Sequence, residues 1–140
     1  MRSITILPAL ALVLFTQAAA ACELLDATTA ERVLGTTVID ATAEPTQFCM
    51  FISSTSPTQL SVRTDTREVY DQIMIAKPHE EVDIGERARS HKFPEGGAAV
   101  QFVAGDVFIT LAVRTPAGDD GRDYLDLLID VGRDIAAKLE

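Results

Sequence analysis

The chain has 140 residues, the length of a single domain. Its 47% hydrophobic and 24% charged content is that of a globular protein and excludes a disordered or low-complexity chain. With 12 Lys+Arg against 21 Asp+Glu the net charge is −9, which speaks against nucleic acid or anionic lipid as an electrostatic partner, and a Cys count of 2 cannot build a four-Cys zinc site.

Residues 1–21 read MRSITILPALALVLFTQAAAA. A single cationic residue, Arg2, precedes an apolar run from Ile4 to Phe15, and small residues follow from Ala18 to Ala21. That order is the secretory signal pattern, with cleavage expected after Ala20 or Ala21. The competing reading is an uncleaved anchor, since Ile4–Ala21 is at the short end for a bilayer span. The expected domain plan is a signal peptide over 1–21 and one domain over 22–140, located outside the cytoplasm. Without Arg2 the remaining chain has a net charge of −10.

Cys22 has two competing fates. As the residue after the signal it can carry a lipid, which would be the chain's one route to a membrane. However, Ala19 stands where a lipoprotein signal usually has a Leu-like residue. Alternatively Cys22 pairs with Cys49, as an even Cys count in an oxidising compartment suggests. That bridge would close a loop of about 28 residues and contribute roughly 3–4 kcal/mol in the chain-entropy account. A lipidated sulfur cannot pair, so the two fates exclude each other. The imperfect lipid signal and an otherwise stranded Cys49 favour the bridge.

In chain order, Thr28-Thr29-Ala30-Glu31 predicts a capped helix start, with Gly35 as its left-handed stop and Ala30, Val33 and Leu34 as its buried side. Phe48–Ser53 and Gln59–Thr64 read as strands around a Ser/Thr/Pro loop. Asp65-Thr66-Arg67-Glu68 predicts a second helix with Val69, Ile73 and Ala76 on one stripe, ended by Pro78. Val82–Ile84 and Arg87–Phe93 are further strand segments. Ala98–Ala104 and Val107–Thr115 flank Gly105-Asp106, a two-residue hairpin turn. Closure there pairs Ala104 with Val107, Phe102 with Ile109, Val100 with Leu111 and Ala98 with Val113, all apolar on one face. A last helix, capped by Asp120, carries Tyr124, Leu127, Leu128, Val131 and Ile135 as one stripe. The expected class is α+β: an antiparallel sheet of about five strands, helices mainly on one face, and a C-terminal helix.

Motifs that carry chemistry are sparse. His79-Glu80-Glu81-Val82-Asp83 lacks metal-ligand spacing and reads as a solvated acidic loop. Asp126, Asp130 and Asp134 read as a solvated helix face and do not match a calcium loop. Ser53, Ser54 and Ser56 have no nucleophile elbow, and the only histidines are His79 and His91. No catalytic residue, metal ligand or cofactor motif is therefore assigned. Arg87, Arg89 and His91 alternate along one strand and share a face. They form a cationic stripe suited to an anionic ligand or partner, or to balancing nearby carboxylates.

Cys22-Glu23-Leu24-Leu25, the helix Thr28–Gly35, Cys49 before a strand, Val82-Asp83-Ile84-Gly85-Glu86-Arg87-Ala88, the hairpin and the closing helix together resemble the DUF3558 family of small exported actinobacterial proteins, often lipoproteins. The likeness implies an exported domain and no particular reaction. Function is expected to be that of an exported, non-enzymatic accessory or binding domain, acting on an unidentified protein or small molecule. The alternatives are a small secreted hydrolase using His79 or His91, and a periplasmic inhibitor or immunity-like protein whose acidity steers it to cationic partners.

Overall fold

The computed structural model describes residues 20–72 and 80–140. Two short helices come first, α1 (Ala21–Leu24) and α2 (Ala27–Leu34). Strands β1 (Val38–Asp40), β2 (Phe48–Ser53) and β3 (Gln59–Thr66) follow, and then the one-turn helix α3 (Glu68–Gln72). The chain continues through β4 (Glu80–Glu81), β5 (Arg87–Lys92), β6 (Gly97–Ala104) and β7 (Val107–Arg114), and closes with α4 (Tyr124–Leu139). All described strands join one antiparallel 7-stranded sheet in the order β1-β2-β3-β7-β6-β5-β4. The class is α+β as expected, with more strands than the five anticipated.

The central hairpin pairs Ala104 with Val107, Phe102 with Ile109, Val100 with Leu111 and Ala98 with Val113, as the turn chemistry and the alternation require. Gly105 adopts φ +58 at the first turn position, where a side chain would be strained. Every second residue of these strands enters a core shared with Leu60 and Val62 of β3. Helices α1, α2 and α4 cover that face through Leu24, Val33, Leu128, Val131 and Ile135. Gly132 permits a close approach of α4, because a Cβ there would stand 3.0 Å from Ile84 and 3.3 Å from Phe102.

Helices α2 and α4 start earlier and later, respectively, than the capping motifs suggested. Asp26, not Thr28, caps α2, and its carboxylate accepts from the Thr29 N–H at 2.8 Å. Gly35 stops that helix in the left-handed region as anticipated. Asp123, not Asp120, caps α4. Asp120 is occupied elsewhere: it accepts from the Arg122 N–H and from the Tyr124 hydroxyl. Asp65 and Thr66 belong to β3 instead of opening a helix, because β7 continues alongside and pairs with both. The stripe residues Ile73 and Ala76, the stop at Pro78, and His79 lie outside the described residues. Val82–Ile84 is not a strand, and the short β4 precedes it. Ile84 is buried instead beneath α4. The edge strand β1, paired to β2, had no expectation from sequence.

Cys22 and Cys49 form a disulfide with Cα atoms 5.1 Å apart, tying α1 to β2. The Thr42 hydroxyl donates to Cys49 Sγ at 3.4 Å and Ala41 N–H to Met50 O, so the β1–β2 connection folds over the bridge. The bridge uses the sulfur that lipidation would need, so the bridged chain has no thioether anchor at Cys22. Such a bond belongs to an oxidising compartment. Among the described residues no helix is long and apolar enough to cross a membrane.

Candidate functional site: the open face of the sheet

The sheet's second face has no helical layer across its middle. Strand register places its side chains in rows that cross the strands. One row runs from Met50 through Ser61, Ala112 and Ala99 to His91. Its three central residues are small and form a shallow floor. Next to it runs Phe48, Arg63, Thr110, Gln101, Arg89 and Glu81. On the other side Ile52, Gln59 and Arg114 lie in register. Ser61, Ala112, Arg63, Arg114, Gln101 and Thr110 thus border a concavity of about 380 Å³.

The second row is held by hydrogen bonds along its length. Arg89 Nε donates to Gln101 Oε1 at 2.9 Å, and Gln101 Nε2 donates to Thr110 Oγ1 at 3.4 Å. Arg63 Nε donates to Asp65 at 3.1 Å while its side chain remains 59% exposed. Arg114 lies 4.6 Å over the Phe93 ring. Stacking restrains that guanidinium and leaves its edge able to donate.

The three residues of the expected cationic stripe do share this face, but they are not equivalent. Arg89 is buried, 4.5 Å over the Tyr70 ring, and Arg87 approaches the same ring at 4.9 Å. Tyr70 in turn meets Phe108 edge-on at 5.3 Å, and its neighbour Val69 brings α3 to the border of the concavity. His91 packs edge-on against Phe93 at 5.4 Å. Arg87 and Arg89 thus border a separate recess with Tyr70, Glu81 and Glu86, while Arg63 and Arg114 line the concavity itself.

Among the strand residues, Arg63, Arg87, Arg89 and Arg114 share the face with Asp65 and Glu81, so strand-borne cations outnumber strand-borne carboxylates there. The whole chain carries −9. The acidity is therefore displaced to other surfaces, among them the exposed Asp126, Asp130 and Asp134 of α4. Asp134 stands 3.8 Å from Arg32, a surface pair of small energetic weight.

Other candidates are not assembled. Ser53 faces the helix-covered side, where its hydroxyl meets Thr36 at 2.8 Å, whereas His91 lies on the open side three strands away from β2's partner β3. Sheet and core thus separate Ser53 from His91. Among the described residues no three His, Cys, Asp or Glu side chains converge on a metal position. Sequence reading missed Arg63, Gln101, Thr110 and Arg114. Their polar alternation within β3, β6 and β7 was visible, but the β3–β7 pairing that unites them was not. Comparison with family models, curated proteins and solved structures gives no match.

Proposed function

We propose that this chain is an exported, non-enzymatic binding domain whose open sheet face receives an anionic partner. One observation carries the reading: in an acidic protein, Arg63 and Arg114 border a concavity of about 380 Å³ on the sheet face that the main helices leave open. Phe48, Met50 and Ile52 add partly buried apolar surface along one side. Arg63 and Arg114 supply guanidinium forks for carboxylate or phosphate groups, and Ser61 and Thr110 supply hydroxyls. The signal pattern and the disulfide support action outside the cytoplasm. The resemblance of its motif order to that of the DUF3558 family suggests the same placement.

An amide-resolved NMR titration with a penta-glutamate peptide, using penta-lysine as control, tests the proposal. Shifts confined to Ser61, Arg63, Thr110, Ala112 and Arg114 on adding the acidic peptide, and abolished in Arg63→Glu/Arg114→Glu, are the expected result. An equal response to the lysine peptide, or shifts on the helical side alone, overturns it.

A further inference from the structure

We infer that, on export, the chain is cut between Ala20 and Ala21, which leaves Ala21 as the first residue and Cys22 internal, bridged and unlipidated. This rests on the export reading above. Two bonds satisfy the small-residue rule for signal cleavage: Ala20–Ala21, with Ala18 and Ala20 at the recognised positions, and Ala21–Cys22, with Ala19 and Ala21. Sequence does not choose between them, because both are Ala-x-Ala. The fold does, because the two products are not equally complete.

Ala21 is wholly buried and belongs to the main core cluster. Its N–H donates to Thr46 O at 3.0 Å, and the next N–H, that of Cys22, donates to Pro45 O at 3.1 Å. Together with the disulfide, these bonds dock the start of the domain onto the turn leading into β2. Cleavage before Ala21 adds water across the Ala20–Ala21 peptide bond. Ala20 departs as a carboxylate and Ala21 keeps an α-ammonium. That ammonium still has an N–H for Thr46 O and two more for water. The loss is the Glu23 N–H bond to Ala20 O, at an exposed residue where water replaces the carbonyl.

Cleavage one bond later removes the Ala21 methyl from the core and the Thr46 contact with it. It also turns the Cys22 amide into a terminal amine beside the bridge. That later bond is the one a lipoprotein requires, since a lipid-bearing Cys must become the first residue. The cleavage position and the fate of Cys22 are therefore one choice, and the burial of Ala21 together with the bridge selects the untethered product. The enzyme needed is a membrane-bound signal peptidase whose pockets admit small side chains.

The test is to express the full-length chain in an export-competent bacterium and to measure N-terminal sequence and intact mass in soluble and membrane fractions, before and after reduction. A soluble chain starting Ala-Cys-Glu that gains the two hydrogens of an opened disulfide is the expected result. A chain starting at Cys22, or one with diacylglyceryl mass in the membrane fraction, overturns this inference and leaves export standing. An uncut chain in the cytoplasm overturns the export reading itself. As a second measurement, oxidised protein starting at Ala21 should melt roughly 3–5 °C above protein starting at Cys22. Equal melting removes the physical ground for the choice.

Discussion

The same strands build both faces of the sheet, and the two faces are chemically unlike. On the covered face Val62, Leu111, Val100 and Phe102 are wholly buried beneath the helices. On the open face their immediate neighbours are Ser61, Arg63, Thr110, Ala112 and Gln101, of which all but Ala112 are polar and none belongs to the main core. Period-two alternation lets one strand serve both purposes. Stability and recognition are thus separated by a single pleat, so substitutions one residue apart are expected to have different consequences.

The largest effect is expected on the covered side. Phe102→Ala removes a wholly buried ring against Gly132 of α4 and should cost about 3–5 kcal/mol in urea unfolding. A loss below about 1 kcal/mol would show that the helical layer is not the main source of stability. Next comes the staple at the edge of that layer. The loop between Cys22 and Cys49, 27 residues apart, predicts that Cys22→Ser/Cys49→Ser lowers stability by about 3–4 kcal/mol. An unchanged denaturation midpoint would mean that the docking of α1 needs no covalent tie.

A smaller effect concerns the cap of α2. Asp26→Ala should cost about 0.5–2 kcal/mol, because the Thr29 N–H loses its acceptor. Those bonds from Thr29, backbone first, hold the Asp26 carboxyl below its ordinary value. A carboxyl lowered in the folded state stabilises it fully above the unfolded value, and that contribution disappears as pH falls through the folded one. The mutational cost should therefore shrink below about pH 4, as followed by thermal melts across acid pH. A pH-independent difference would assign the cap's effect to shape alone. The smallest stability effect is expected on the open side. Arg63→Ala, at an exposed surface pair, should change unfolding by less than about 0.5 kcal/mol while weakening any acidic-peptide response. A change of several kcal/mol would erase the distinction between the faces.

Legibility in the sequence followed the same division. The β6–β7 hairpin was readable position by position because its turn residues and its alternation demanded the same register. The buried stripe of α4 was readable because it repeats within one segment. The helix caps were misplaced by a few residues because several Asp and Thr residues compete at each helix start. The helix expected from Asp65 was displaced because β7, distant in sequence, extends the ladder to Thr66. Contacts made across the molecule were not readable. Arg122, for example, donates from the α4 approach to the carbonyls of Arg32 and Val33 at the end of α2. No local pattern announces a bond between residues 89 positions apart. The open site shares this limit, because its arginines come together only once β3 and β7 have paired.

That central pairing also sets a tempo. Thr66 and Val107, the closest partners in sequence across β3 and β7, are separated by 41 positions, and Gln59 pairs with Arg114 across a still wider gap. A sheet whose middle must wait for such distant segments to meet folds slowly, in the range of milliseconds to seconds, even though its hairpin closes within microseconds. If the chain is exported unfolded, as proposed above, such delay is useful. The topology postpones closure of the core, and the Cys22–Cys49 bridge makes that closure harder to reverse.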